Sequence, residues 1–262
     1  MTKTNPGKLA VWALSAIALI ALPLLLQATG SNSWVRIVDL ALLYVLLALG
    51  LNIVVGYAGL LDLGFVAFYA VGAYMYALLA SPHLSENFEG FKAMFPNGLH
   101  TPIWVVIPAA ALLAAGAGVL LGTPVLKLRG DYLAIVTLGF GEIIRVFLNN
   151  MEHPVNITNG PRGLDRIDPM NFFGFSFGKT LDIGGFAIPS VTLYYYLFLT
   201  LVVFSVVISH RLETSRIGRA WMAIREDEIA AKAMGINTRN MKLLAFAMGA
   251  TFGGVSGSMF AA

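Results

Sequence analysis

Residues 35–80 read VRIVDLALLYVLLALGLNIVVGYAGLLDLGFVAFYAVGAYMYALLA, a stretch that is apolar almost throughout. A bilayer core about 30 Å thick is crossed by roughly 20 helical residues, so this run is too long for one span. It breaks at Gly56-Tyr57-Ala58-Gly59, followed by Asp62. Two glycines in four residues give the backbone freedom for a reversal. The reading is two spans, 35–55 and 60–80, joined by a tight turn.

The rest of the chain agrees. Of 262 residues, 58% are hydrophobic and 12% charged, whereas an ordinary soluble domain carries about a quarter charged residues. The fold class is an all-α membrane protein, a single transmembrane domain over 1–262, with apolar material for about seven spans of roughly 20 residues. They fall at 9–28, 35–55, 60–80, 102–125, 132–149, 190–209 and 243–262. The first follows Lys3 and Lys8. Its apolar run is long for a signal peptide and no small-x-small cleavage site follows, so it reads as a signal anchor. If Lys3 and Lys8 share the cytoplasmic side with Lys127 and Arg129, an even number of spans must separate them. Four spans do. The N-terminus is then cytoplasmic, 81–101 and 150–189 are outer loops, and 211–242 returns to the cytoplasm. Inner loops then hold eleven Lys and Arg residues, and the outer side holds five, counting Arg36 at the outer end of the second span. The cluster Tyr194-Tyr195-Tyr196 suits an interfacial aromatic belt. The chain stops on Phe260-Ala261-Ala262 with no polar flank, which suggests a missing C-terminal part.

Two spans carry small residues at four-residue spacing: Ala110, Ala114, Gly118 and Gly122 in one, and Ala245, Gly249, Gly253, Gly257 and Ala261 in the other. Such a face lets helix backbones approach in lipid, so Gly118, Gly122, Gly249, Gly253 and Gly257 are expected at helix contacts. Asn52, Asp62, Glu142 and Arg145 lie at or near membrane depth, where ionisable groups face protein or a water-filled path. With Thr137 they are the candidates for a translocation path or a gate. Glu142 and Arg145, three apart on one helix face, suit an internal ion pair, and a direct part in the path stays open beside that. Asp62, just after the glycine turn, suits a capping or gating role.

The loop RLETSRIGRAWMAIREDEIAAKAMGINTRNMK (211–242) holds seven of the seventeen Lys and Arg residues. Asp227 can cap a short helix from Glu228 through Met234, and Gly235 is placed for the left-handed position that ends it. A capped, alanine-rich helix in a basic loop suits docking on a soluble partner. An ordinary positive-inside loop with incidental helix is the alternative.

Other chemistry finds little support. No cysteine is present, and His83, His100, His153 and His210 have no metal-ligand spacing. Gly174-Phe175-Ser176-Phe177-Gly178-Lys179-Thr180 resembles a phosphate loop but has three residues between its glycines where four are needed. Asn156-Ile157-Thr158 is a glycosylation pattern common by chance. No basic face interleaved with aromatics points to nucleic acid, and no Ser/His/Asp grouping points to an enzyme.

A family resemblance now enters. Gly56-Tyr57-Ala58-Gly59-Leu60-Leu61-Asp62-Leu63-Gly64-Phe65 through Gly72-Ala73-Tyr74 resembles an early signature of bacterial branched-chain amino-acid ABC permeases. The run from Arg129-Gly130-Asp131-Tyr132 to Gly141-Glu142 is similar to a second block, and Asn159-Gly160-Pro161-Arg162-Gly163-Leu164 to a third. Arg225-Glu226-Asp227-Glu228-Ile229-Ala230-Ala231 with Gly235 resembles the family's cytoplasmic coupling segment. The blocks occur in order over 56–262, nearest to the LivM-type subunit.

That resemblance implies an inner-membrane permease subunit of an ATP-driven importer for leucine, isoleucine and valine. It implies a second, LivH-type permease subunit, two ATPase subunits that bind the ATP and magnesium, and a periplasmic amino-acid-binding protein. Arg225, Asp227, Glu228, Ala230, Ala231 and Gly235 would serve the coupling to ATPase, with no cofactor or metal on this chain. Two features depart from the general importer loop. Ile229 stands where a glutamate is usual, with Glu228 displaced by one, and no Ile-x-Leu-Pro follows. Family members also continue past residue 262. A urea or short-amide permease of the same superfamily, or an ion-coupled secondary transporter, are the alternatives.

Overall fold

The computed structural model describes residues 6–28, 32–128, 130–153, 155–172, 175–183 and 186–262. Lys3 and Arg129 of the topology argument, and Gly174 of the glycine-rich stretch, lie outside the described residues.

The order of long helices follows the apolar runs: α1 (Pro6–Ala28), α2 (Asn32–Asn52), α3 (Val66–Leu79), then two short helices, α4 (His83–Asn87) and α5 (Glu89–Met94), followed by α6 (Ile103–Val125) and α7 (Asp131–Asn150). After a loop with two small hairpins come α8 (Ser190–Thr214), α9 (Arg216–Glu226), α10 (Glu228–Ala233) and α11 (Thr238–Ala261). Among the described residues four helices are long and apolar enough to cross a bilayer: Asn32–Tyr57, Ile103–Val125, Ser190–Thr214 and Thr238–Ala261. Helices α1, α3 and α7 occupy the places where the sequence predicts three further spans.

Helix α11 lies at the centre, packed chiefly on α6 and α3 and then on α2. Its small residues set the distance. A Cβ on Gly257 would stand 1.9 Å from the Tyr69 carbonyl oxygen of α3, and one on Gly72 would stand 2.0 Å from the Gly254 carbonyl oxygen. On α6, a Cβ on Gly118 would meet Ala250 Cβ at 2.8 Å, while Gly122 faces Leu243 and Phe246 at ordinary contact distance. Gly249 sits against Val54 and Gly50 of α2, and Gly253 against Phe68. The apolar core forms two clusters along this axis. One gathers Ile53, Val54, Phe65, Phe68, Trp221 and Phe246, the other Val35, Tyr76, Ile103, Tyr195 and Met259.

Three expectations need correction. The third span does not run from 60 to 80. Helix α2 ends in a single π turn, Ile53–Tyr57, closed by Ala58 N–H to Ile53 O at 3.3 Å and Leu60 N–H to Val54 O at 3.0 Å. The chain then stays non-helical to residue 65, and α3 has 14 residues, roughly 21 Å long. Hydropathy runs straight through this segment because Leu60, Leu61, Leu63 and Phe65 are as apolar as a helix would need. Second, 211–242 is mostly helix. Helix α8 continues to Thr214, Ser215 Oγ accepts from Gly218 N–H at 3.1 Å to start α9, and α11 begins at Thr238. Third, the tyrosines do more than line an interface. Tyr195 is buried and its hydroxyl donates to Leu19 O at 2.7 Å; Tyr196 donates to Ile20 O at 3.0 Å, and Tyr194 to Ala262 O at 3.3 Å. They tie α8 to α1 and to the end of α11.

The two expected outer loops lie together at one end. Asp168 N–H donates to Ala80 O at 2.8 Å, Tyr76 hydroxyl donates to Asp168 O at 3.1 Å, and Arg166 pairs with Glu86 at 2.8 Å. Antiparallel hairpins pair Asn171 with Ser176 and Leu181 with Ile188.

The close backbone approach gives a direct test. Gly257→Val places a side chain against the Tyr69 carbonyl and is expected to destabilise by roughly 1–3 kcal/mol or more, the usual cost of overpacking. Gly116→Ala in α6 meets nothing within 4 Å and is expected to be neutral or stabilising by up to about 1 kcal/mol. Thermal unfolding in detergent, read by intrinsic fluorescence, ranks the two.

Candidate functional site

Most of the residues singled out by sequence fall into two groups. The first group lies where α9, α10 and the N-terminus of α11 meet the glycine turn. Asp227 Oδ1 accepts from the N–H groups of Ile229 and Ala230 at 2.8 and 3.0 Å, starting α10. The helix ends with Gly235 at φ +86°, its N–H on Lys232 O and the Ile236 N–H on Ala231 O, both at 3.1 Å. That is the double closure of a Schellman end. Ala231 is buried, Ala230 is exposed, and Ile229 and Met234 are 74% and 84% exposed.

What anchors α10 is a set of contacts that sequence reading did not identify. Lys242 Nζ bonds Glu228 Oε2 at 2.7 Å, with the two side chains only 11% and 36% exposed. Arg225 Nη1 donates to the Gly56 carbonyl at 2.6 Å, and its side chain lies over Gly59, where a Cβ would stand 2.5 Å from Arg225 Cγ. Gly59 has φ +68°, so the turn needs glycine for both its backbone and its neighbour. Trp221 is fully buried and donates from Nε1 to Met241 O at 2.8 Å. The signal available was the 3–4 spacing of Trp221, Ile224 and Glu228. These contacts surround a cavity of about 360 Å³ lined by Leu60, Leu128, Asp131, Arg225, Glu228 and Lys242, among others. The expected inner-loop segments, 127–128 with 130–131 and 211–242, therefore sit at one end together.

The second group lies along α7. Asp62 is buried and uses Oδ1 to accept from Gly64 N–H at 2.9 Å, while Oδ2 has no hydrogen-bond partner among the described residues. It caps the turn before α3, since helical geometry begins only at Val66. Thr137, buried on α7, accepts from Leu63 N–H at 3.0 Å and donates to Ala134 O at 3.0 Å. Gly64 packs so closely on α7 that a Cβ would stand 2.1 Å from Thr137 O. Asp62 and Thr137 are thus brought together around a cavity of about 10 Å³, near the lower limit for one water.

Glu142 and Arg145 form the expected pair, Nη1 to both carboxylate oxygens at 3.0 and 3.2 Å. They line a different space, a cleft of about 590 Å³ between α3 and α7. Asn52 joins neither group; it is exposed at the end of α2 with Oδ1 over Gly56. Sequence reading passed over Asp39, a buried carboxylate inside α2 with Oδ1 unpartnered among the described residues. A charge within a 35–55 span was its signal.

At the opposite end, His100 Nδ1 bonds the Asp168 carboxylate and its Nε2 faces Asn97 O at 2.7 Å. Asp168, and then Asn97, favour the imidazolium and raise the His100 pKa above its ordinary 6.5. Among the described residues no group of three His, Asp or Glu side chains could hold a metal ion.

Residues 33–262 match the family described as the permease component of branched-chain amino acid transport systems. The chain belongs to that permease family. It is 44% identical to the high-affinity branched-chain amino acid transport system permease protein LivM of Escherichia coli (strain K12), covering 94% of this chain and 56% of the relative. Identity to the protein of the same name from Salmonella typhimurium (strain LT2) is 43%, covering 99% and 58%. A probable branched-chain amino acid transport permease protein LivM of Methanocaldococcus jannaschii is 25% identical, covering 83% and 64%. The chain thus spans somewhat over half the length of these relatives. No solved structure matches it. Family and spans together make it a multi-pass membrane protein.

The raised His100 pKa fixes the sign of a pH effect. A group whose folded pKa is raised contributes stability that is complete below its unfolded pKa, about 6.5, and lost as pH rises through the folded value. Amides of 97–101 and 166–168 are therefore expected to exchange faster at pH 8 than at pH 6, after correction for intrinsic rates. His100→Gln is expected to flatten the difference.

Proposed function

We propose that this chain is a permease subunit of an ATP-driven importer that moves branched-chain amino acids across the bacterial inner membrane. It works with a second, homologous LivH-type permease subunit, two ATPase subunits and a periplasmic amino-acid-binding protein. ATP and magnesium belong to the ATPase, and no reaction is catalysed on this chain. The end bearing 127–131 and 211–242 faces the cytoplasm with the N-terminus, and the end bearing the two outer loops faces the binding protein.

The observation that carries the reading is α10. It is a six-residue helix capped at both ends, with Ile229 and Met234 exposed outward and Ala231 turned in. Exposed apolar side chains beside small ones suit insertion into a cleft on another protein. The inward side is tethered. Closure of the ATPase pair would displace α10, Glu228 would carry Lys242 and hence the start of α11, and Arg225 would carry Gly56 and the turn at 53–65. Thr137 passes that turn's displacement to α7. The switch is two-state, driven by the different affinity of the two conformations for nucleotide.

The test is leucine uptake by the full-length permease reconstituted with its partner subunits. Uptake is expected to require ATP and to survive proton and sodium uncouplers; abolition by uncouplers would favour an ion-coupled carrier. Gly235→Val puts a β-branched residue at φ +86°, a strain on the order of 1–3 kcal/mol, and is expected to lower uptake severalfold while ATPase activity persists. Gly235→Asn, which tolerates left-handed backbone, is expected to keep most uptake. Full uptake by Gly235→Val would count against coupling through α10. Lys242→Met leaves Glu228 without its partner and is expected to show the same loss of coupling.

A further inference from the structure

We infer that the cleft between α3 and α7 is a binding site for a zwitterionic aliphatic amino acid, with Arg145 holding its carboxylate and Glu142 its ammonium group. The inference rests on the permease reading above and names the residues that contact the cargo.

The cleft's volume of about 590 Å³ falls within the 300–1,000 Å³ typical of small-molecule sites. Val66, Ala67 and Ala70 of α3 and Leu138, Ile144 and Leu148 of α7 form apolar walls. Glu142 and Arg145 are the charged residues among its lining, so the site combines apolar surface with one positive and one negative group. A free amino acid with a branched aliphatic side chain has the complementary set. Urea has no charge for either group and no apolar surface for the walls.

The geometry of the pair separates this role from a purely structural one. The side chains of Glu142 and Arg145 are 59% and 70% exposed, on a helix whose neighbours are apolar. If 132–149 spans the bilayer as the sequence predicts, an ion pair on it is costly against lipid and must face protein or water. Here it faces the cleft. Arg145 engages Glu142 through Nη1 alone, so among the described residues its Nη2 and Nε have no protein acceptor. A guanidinium carries five N–H donors in a planar fork that matches a carboxylate. The free edge of that fork can receive the carboxylate of an amino acid, while each Glu142 oxygen, bonded once to Nη1, keeps a second lone pair for the ammonium. Gly139 has open space where a Cβ would stand, so α7 presents bare backbone near the cleft. Gly64, pinned to Thr137, holds α3 and α7 together at one end of the cleft. The turn that Arg225 grips thus forms part of the binding wall, and its displacement would alter the site.

Binding is measured on the full-length permease assembled with its partner subunits in nanodiscs, without the binding protein. The probes are leucine, leucinamide, which lacks the carboxylate, and 4-methylpentanoate, which lacks the amine. Wild type is expected to bind leucine at least tenfold more tightly than either analogue. Arg145→Met is expected to weaken leucine binding roughly 10- to 100-fold, the range for a charge-assisted hydrogen bond, and to erase the preference over leucinamide. Glu142→Gln is expected to erase the preference over 4-methylpentanoate. Arg145→Lys keeps a cation beside Glu142 but loses the fork. It is expected to weaken leucine binding without lowering the thermal stability of the complex, whereas a structural pair would show the converse. ATP-dependent leucine uptake is run in parallel. A wild-type complex that takes up no leucine overturns the permease reading and this site with it. Wild-type uptake with unchanged leucine affinity and selectivity in Arg145→Met and Glu142→Gln overturns the site alone, as does wild-type uptake without leucine binding in the nanodisc.

Discussion

The arrangement depends on backbone-to-backbone contact along α11. Lipid tails are as apolar as leucine, so burial of apolar side chains gives helices in a bilayer little reason to associate; close van der Waals packing must do so. Glycine is required where the gap is smallest, at Gly257 over the Tyr69 carbonyl and at Gly72 over the Gly254 carbonyl. With α11 seated between α3 and α6, the short α3 is fixed in depth and the segment before it is held against α7. The position of both cleft and turn follows from that seat.

Beside this closely packed centre the structure places an irregular element. The π turn at 53–57 and the non-helical residues to 65 interrupt what would otherwise be two ordinary spans. Irregular backbone within a bilayer is tolerated only where its polar groups find partners. Gly56 O takes Arg225, Leu63 N–H takes Thr137, and Gly64 N–H takes Asp62. Each partner comes from a different place: the basic loop, helix α7, and the turn itself. A segment whose hydrogen bonds are supplied by neighbours follows those neighbours when they move, which a closed α-helix would resist.

The sequence made most of the helical framework legible because hydropathy and four-residue spacing are local signals. Asp227 and Gly235 could be read as helix ends for the same reason: capping is decided within one turn. The start of α3 at Val66 could not, since Leu60 to Phe65 satisfy any hydropathy window while the turn's bonds come from far along the chain: Thr137 to Leu63 across 74 residues and Arg225 to Gly56 across 169. Trp221 and Lys242 were read as parts of a basic loop because nothing local says that Met241 O and Glu228 would meet them. The tyrosines at 194–196 carried the composition of an interfacial belt, yet their hydroxyls go to carbonyls of α1 and of residue 262. Of the candidate site, the sequence singled out Asp62, Thr137, Glu142 and Arg145 as polar groups, but their division into two separate spaces needed coordinates.

Two of the ion pairs on the helices differ sharply in environment. Lys242 and Glu228 are mostly covered, and removing one partner of a covered pair leaves an uncompensated charge, a strong penalty against separation. In the proposed coupling such a pair would transmit displacement, because breaking it costs more than moving with it. Glu142 and Arg145 are open to a cleft and joined through one nitrogen. An exposed pair contributes about 0–1 kcal/mol, so either member can be recruited by another charged group at little cost. Under the proposed transport cycle, the first contact suits a joint that holds throughout, and the second a contact that exchanges partners. The turn at 53–65 lies between them, gripped by Arg225 on one side and forming a wall of the cleft on the other.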